Sequence, residues 1–279
     1  MHIPRIASAF VAFLVTLVVL WVGLPLLGPI YLFLVAIAIQ EYASMMELRG
    51  VPVRRRSLWV VSALTLPASL PAGHPWMEVL GGVPWRELLL IGFALYLLVA
   101  EVVTSNRSSL HSLVFTLFGY VWISWGFGLI ITLRYTPDGV IGLWYLTFPM
   151  LAIIATDVGG YVFGSLWGRR LLAPRISPKK TVEGLIGGLA LALVVVGTTM
   201  ALLPLWTDFR LDVMHLLVFA LAVPLAALAG DLFESLVKRW AGVKDTGVFL
   251  PGHGGVLDRI DSTLIAVPAT YLLVQLLLL

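Results

Sequence analysis

Residues 262–279 read STLIAVPATYLLVQLLLL, and none of them is charged. An uncharged run of this length is what a membrane-crossing helix needs, because about 20 residues rising 1.5 Å each cross a hydrocarbon core of roughly 30 Å. Asp258, Arg259 and Asp261 stand directly before it, so the change from ionic to apolar sequence is abrupt. Comparable runs occupy 6–24, 26–42, 58–72, 87–104, 110–133, 141–164, 183–205 and 213–232, which with the closing run makes nine candidate spans. The third is the weakest, because Pro67 and Pro71 interrupt it. The first follows Arg5 like a secretory leader, yet it is too long for one and no A-x-A-like cleavage site follows it. The composition agrees. Of 279 residues, 60% are hydrophobic and 12% charged, against about 45–50% and roughly 25% in soluble domains; the mean hydropathy is +1.00. The expected fold is all-α and polytopic, since helices satisfy their backbone polar groups internally where no water is present.

The basic residues orient these spans. With a cytoplasmic N-terminus, Arg5, Arg49, Arg54, Arg55, Arg56, Arg107, Arg169, Arg170, Arg175, Lys179, Lys180, Lys238, Arg239, Lys244 and Arg259 fall inside, 15 of 18, leaving Arg86, Arg134 and Arg210 outside. This asymmetry is the one that sets membrane topology, and an error of one span would scramble it. The expected location is the cytoplasmic (inner) membrane. Two inside loops differ from the rest: 165–182, SLWGRRLLAPRISPKKTV, and 233–261, FESLVKRWAGVKDTGVFLPGHGGVLDRID. The first half of the chain shows few polar groups at membrane depth. The expected organisation is a helical scaffold over 1–140 and a catalytic region over 141–279. There are no cysteines, which excludes disulfides and thiolate chemistry, and the five histidines have no metal-ligand spacing.

The acidic residues sit where apolar runs end. Asp157 follows FPMLAIIAT, and Asp231 follows VPLAALAG. A carboxylate at such a boundary is costly unless it faces a polar cavity or a partner; a span that simply reaches water is the plain alternative. Ser235 and Lys238 follow Asp231 at i+4 and i+7, on one helical face. A carboxylate and a hydroxyl suit a hard cation such as Mg2+, and the ammonium suits a phosphate. The loop Pro251-Gly252-His253-Gly254-Gly255 can turn backbone N–H groups toward a phosphate. Asp258 and Asp261 are three apart on a helix start, and Arg259 offers a fork that matches phosphate oxygens. In 175–184, RISPKKTVEG, Ser177-Pro178 opens a turn or a helix. Lys179 and Lys180 would diverge by about 100° on a helix, one toward the site and one toward headgroups. There is no Walker A motif and no Ser-His-Asp arrangement. The set fits phosphoryl or nucleotidyl transfer onto a lipid headgroup, where a protein mainly positions groups and neutralises charge. A transporter would thread polar residues through the full membrane depth, whereas these gather at one face.

The stretch from Ser235 through Lys238-Arg239, Lys244-Asp245, Gly247, Pro251, His253-Gly254-Gly255 and Asp258-Arg259 to Asp261 resembles the signature of the phosphatidate cytidylyltransferases, or CDP-diacylglycerol synthases. Asp157-Val-Gly-Gly-Tyr161, Ser177-Pro-Lys-Lys-Thr-Val-Glu-Gly184 and Gly230-Asp231 are similar to the same family. The likeness covers about 155–262, with small departures at Val158 and Gly160. It implies attack of a phosphatidate oxygen on the α-phosphorus of CTP, release of pyrophosphate, and dependence on Mg2+, with a second cation left open. Matched by position, Asp231, Asp258 and then Asp261 become the expected metal ligands. Lys238, Arg239, Lys244, His253 and Arg259, with Ser235 and the Gly254-Gly255 backbone, are expected at the phosphates of CTP. Lys179, with Ser177 and Thr181, is expected at phosphatidate or the triphosphate, and Asp157 lines the same cavity. Asp231, Asp258, Lys238 and Lys179 are the expected catalytic set. Lipids, CTP, phosphatidic acid and a second copy of the chain are the expected partners, and no nucleic acid is.

Overall fold

The structure is a computed structural model that describes residues 14–71, 74–75, 83–104, 110–202, 212–249 and 254–278. A helical stretch at 14–22 leads into α1 (Leu24–Leu48), α2 (Arg55–Ala68) and α3 (Trp85–Val103). The next helix runs as α4 (Leu110–Gly119), a π-helical turn (Tyr120–Trp125) and α5 (Gly126–Arg134). Then come α6 (Ile141–Trp167), the strands β1 (Leu171–Ala173) and β2 (Ser177–Thr181), α7 (Val182–Leu202), α8 (Val213–Ala241) and α9 (Leu257–Leu277). Among the described residues the regular elements are helices apart from this antiparallel hairpin, in which Leu171 pairs with Thr181 and Ala173 with Ser177. Ser177-Pro178 therefore opens a strand, not a helix or a turn.

Among the described residues, six helices are long and apolar enough to cross a membrane: α1, the α4–α5 helix, α6, α7, α8 and α9. The others fall short for visible reasons. Helix α2 has 14 residues, about 21 Å at 1.5 Å per residue, and Pro67 sits in its last turn. Helix α3 has the length but carries Arg86, Glu87 and Glu101. The first expected span lies partly outside the described residues.

The two ends of the bundle are built differently. At one end, Arg134 donates to the carbonyls of Leu20, Trp21 and Gly139, and Leu24 N–H donates to the Tyr135 hydroxyl at 2.7 Å. The Leu20 and Trp21 carbonyls belong to the last turn of the helical stretch 14–22, where no intrahelical donor follows. At the other end, Arg49 donates to the Trp240 carbonyl and lies over its ring. Arg54 pairs with Glu101 at 2.8 Å, and Arg55 with Glu47 at 2.5 Å. The ends of α1 and α8 thus share one face with the starts of α2 and α9.

The larger core joins residues from both sides of position 140, including Tyr31, Ile39 and Tyr42 of α1, Tyr120 and Ile123 of the π turn, and Leu257 and Leu264 of α9. A smaller core lies between α6, α7 and α8, around Phe148, Ala192 and Ala220. The first half is less bare of polar groups than its hydropathy suggests. Ser62 and Ser124 share a hydrogen bond of 2.6 Å, Thr65 and Tyr120 one of 3.0 Å, and Tyr31 donates to the Ser124 carbonyl, all buried. Hydroxyls weigh little in a hydropathy count because they can bond back within a helix, as Thr65 does to the Val61 carbonyl.

Helices α6 and α7 approach through small residues, which is how helices associate where surrounding lipid is as apolar as the side chains. A Cβ added at Gly188 would stand 2.5 Å from the Thr156 carbonyl, and one at Gly159 would stand 2.8 Å from Gly188 Cα. Gly188→Val should force the pair apart, at an overpacking cost of about 1–3 kcal/mol. It should lower the unfolding temperature in detergent micelles by several degrees. Gly197→Val on the same helix, where nothing lies within 4 Å, should match the wild type in the same measurement.

Candidate active site

Four elements bring charged side chains together at the α8–α9 end. Helix α6 presents Asp157, the hairpin presents Lys179 and Lys180, α8 presents Asp231, Glu234, Ser235 and Lys238, and α9 begins with Asp258 and Asp261. Asp258 and Asp261 open α9, whereas Asp157, Asp231 and Glu234 lie well inside α6 and α8, which run on to Trp167 and Ala241 beyond the apolar runs; acids so placed need a polar cavity or a partner.

Two cation–carboxylate pairs form the cluster. Lys180 Nζ meets Asp231 Oδ2, across from the hairpin to α8. Lys238 Nζ lies 2.7 Å from Asp258 Oδ1 and 2.6 Å from Glu234 Oε2, the latter one helical turn away. Glu234 is fully buried, at 0% exposure, and its Oε1 has no hydrogen-bond partner among the described residues. Asp258 Oδ2 accepts two more bonds, from Thr246 N–H at 2.9 Å and Gly255 N–H at 2.8 Å, and the Thr246 hydroxyl also lies 2.9 Å from it. Ser235 Oγ lies 3.4 Å from Asp231 Oδ1, a weak contact. Asp261 takes Ser262 N–H at 2.6 Å and has Asp231 and Lys238 as charged neighbours.

Beside the pairs lies a cavity of about 280 Å³, lined by Asp157, Ser177, Lys179, Lys180, Thr181 and Ser262 among others. Asp157 is exposed, and the charges nearest it are Lys180 and Asp231. Lys179 and Lys180 both line this cavity, and strand alternation separates them: Lys180 is the more enclosed and holds Asp231, while Lys179 is exposed. Glu183 accepts the backbone N–H groups of Arg169 and Arg170 at 3.0 and 3.1 Å, and Thr181 Oγ1 accepts Gly184 N–H at 3.1 Å. These bonds fix both ends of the hairpin and so the reach of Lys180.

The other expected residues are placed less centrally. Arg239, Lys244 and Arg259 are exposed. Gly254 has φ 83°, and the Gly255 N–H that was expected to face a phosphate is directed at Asp258. His253 lies outside the described residues. Lys180, Glu234, Thr246 and Glu41 carry contacts that the sequence reading did not assign to them. Glu41, 7% exposed in the middle of α1, accepts from the Thr246 hydroxyl and from Val256 and Leu257 N–H. The signal for it was available: it is an acid inside an apolar run, AIAIQEYA over 36–43, and such acids have partners.

Among the described residues no three acidic or histidine side chains converge as a ready-made metal cage. A cage is not what Mg2+ requires, since it takes one or two carboxylates and completes its shell with water and substrate phosphates. Asp231, Asp258 and Asp261 offer hard oxygens of that kind, and the donor set fits a divalent cation that arrives with a nucleotide.

A sequence profile of the Cytidylyltransferase family matches residues 3–277. The chain is similar to the phosphatidate cytidylyltransferase of Staphylococcus aureus (strain COL), 35% identical over 266 residues covering 95% of each chain. It is similar to that of Staphylococcus haemolyticus (strain JCSC1435), also 35% identical over 266 residues and 95% of each chain. The Staphylococcus epidermidis protein (strain ATCC 35984) is 33% identical over 268 residues, again 95% of each.

Proposed function

The chain belongs to the cytidylyltransferase family and is a nucleotidyltransferase acting on phosphatidate; we propose that the reaction runs at the Lys180–Asp231 and Lys238–Asp258 pairs beside the α6–hairpin–α8 cavity. The observation that carries this reading is the meeting of three separate elements, the hairpin, α8 and α9, on two carboxylate–ammonium pairs next to that cavity, in a chain alike to its relatives along 95% of its length.

A phosphate oxygen of phosphatidate forms a bond to the α-phosphorus of CTP. The bond from that phosphorus to the bridging oxygen breaks, and its electron pair leaves with pyrophosphate. CDP-diacylglycerol remains. Both reactants are anions, so the site must offset their repulsion. Lys180 and Lys238 are held in place by carboxylates before any substrate enters, and charge positioned in advance costs no reorganisation during the reaction. Lys179, exposed on the cavity wall, is free to take a phosphate of either substrate, with Ser177 and Thr181 beside it. Arg239, Lys244 and Arg259, exposed cations of α8, the segment after it and the start of α9, would attract a triphosphate. Asp231 and Asp258, with Asp261, would hold Mg2+, which when bound neutralises charge on phosphate oxygens.

Ile153 lines both this cavity and an apolar one of about 370 Å³ bounded by Leu20, Leu146 and Met150, which supports a headgroup in the first and an acyl chain in the second. A topology of nine spans with a cytoplasmic N-terminus puts the site at the cytoplasmic face of the inner membrane, where CTP and leaflet lipid meet. The opposed placing of the Arg49–Arg54–Arg55 and Arg134 clusters supports it. A homodimer is the expected assembly.

Purified protein in detergent, given phosphatidate, Mg2+ and CTP labelled at the α-phosphate, should yield labelled lipid. EDTA should stop labelling, and excess Mg2+ should restore it. Label entering lipid from the γ-phosphate, or no labelling by folded protein, would overturn the reading.

A further inference from the structure

The strongest unexplained feature is Glu41. It belongs to α1, more than 200 residues from its partners in sequence, yet it is buried and its carboxylate accepts three hydrogen bonds from one loop: the Thr246 hydroxyl at 2.9 Å, Val256 N–H at 2.9 Å and Leu257 N–H at 2.8 Å. Val256 stands at the N-cap position of α9, whose own residues supply no side-chain cap. Val has no group with which to cap, and the first N–H groups of a helix need an acceptor. Glu41 supplies it from another helix, with its negative charge at the favourable end of the helix dipole.

The loop is also shaped around this carboxylate. A Cβ added at Gly247 would stand 2.6 Å from Glu41 Oε1, and one at Gly255 would overlap Thr246 Oγ1 and both carboxylate oxygens. Two glycines of the motif thus leave room for an acid in the first half of the chain. Thr246 links that acid to the site, since its hydroxyl lies 2.9 Å from Glu41 Oε2 and 2.9 Å from Asp258 Oδ2. One hydroxyl has one proton, so donation to one carboxylate releases the other.

We propose that Glu41 is a positioning residue for the transfer reaction: it holds Thr246 and the start of α9 and through them sets where Asp258 stands. This rests on the reading of Asp258 as part of the active site. Supports of this kind behind a metal-binding carboxylate govern about 10–100-fold in metal affinity or activity.

The test uses full-length protein in detergent with two readouts: turnover of labelled CTP, and Mn2+ binding followed by electron paramagnetic resonance in the presence of CTP. Glu41→Gln keeps the size of the side chain but sets an NH2 against the loop's donors. It should weaken Mn2+ binding about tenfold or more and cut kcat by a similar factor, with a much smaller change in KM for phosphatidate. Thr246→Val should do the same, and Thr246→Ser should recover most of both. Because the two act as one unit, the double variant Glu41→Gln/Thr246→Val should be no worse than the more damaging single change. Wild-type Mn2+ binding and turnover in folded Glu41→Gln would overturn the proposal, as would losses that multiply in the double variant. If Glu41→Gln does not fold, Thr246→Val decides alone, and normal behaviour there overturns it. Asp258→Asn separates the two layers: retained turnover in that variant removes the site reading itself, whereas loss there beside a normal Glu41→Gln removes only the role given to Glu41.

Discussion

Replacing Asp258 by Asn is expected to reduce turnover about a thousandfold or more, which is roughly 4 kcal/mol of transition-state stabilisation at about 1.4 kcal/mol per factor of ten. The variant keeps the shape of the side chain and changes its chemistry twice. It removes the charge that holds Lys238 at 2.7 Å. It also puts an NH2 either against that ammonium or against the two backbone N–H donors now served by Oδ2, from Thr246 and Gly255. No orientation of an amide satisfies both sides. The carboxylate is also one of the oxygens offered to Mg2+, and a neutral amide is a far poorer ligand for a hard cation. Asp231→Asn should show a comparable loss, because Asp231 organises Lys180 as Asp258 organises Lys238. The Asp231 side chain is 28% exposed, so water can replace its lost bonds and the unfolding temperature of that variant in micelles should move by only a few degrees, whereas the Asp258 side chain is 8% exposed and its variant should lose more. Turnover of labelled CTP and thermal unfolding, measured on the same preparations, check the two halves of the statement. Near-normal turnover in both variants would remove the site from this end of the bundle.

The helices were legible because the physics that forms them is local. An apolar run of span length has one stable solution in a bilayer, and eight of the nine candidate runs fall on helices of the described structure or overlap them closely, while the first is covered only from residue 14. Which helices satisfy the length and charge of a full crossing was not legible. It depends on three charged residues within α3 and on the early stop of α2 at Ala68, where Pro67 and the following turn end it. The hairpin was hidden for another reason. SPKKT has neither helical period nor alternating hydrophobicity, and its strand character comes from pairing with Leu171–Ala173, a tertiary fact. That pairing is also what selects Lys180 over Lys179 as the partner of Asp231, because neighbours on a strand point to opposite faces. The Asp231–Ser235–Lys238 face was readable from spacing alone, as helical faces are. The partner of Lys238 across to α9 and the bond of Glu41 to the loop span 20 and 205 or more residues, and no local pattern encodes either.

Lys238→Met is expected to cut kcat about a hundredfold or more and, unlike Asp231→Asn, to destabilise the protein. The ammonium is the only cation within bonding distance of Glu234 among the described contacts, and Glu234 is wholly enclosed. Removing one member of a buried pair leaves the other charge uncompensated, at about 3–5 kcal/mol. Two explanations of lost activity then compete: Lys238 acts on the phosphates of the substrates, or it merely neutralises Glu234 so that α8 packs correctly. A second change tells them apart. In Lys238→Met/Glu234→Gln the stranded charge is gone, and the glutamine fills nearly the same volume, so most of the lost unfolding temperature should return. If Lys238 serves the reaction, turnover should stay as low as in the single variant, because no positive charge faces the phosphates. Recovery of turnover together with stability would assign Lys238 to packing alone, and the cation opposite the substrate would then have to be Lys180, whose replacement by Met would become the damaging change.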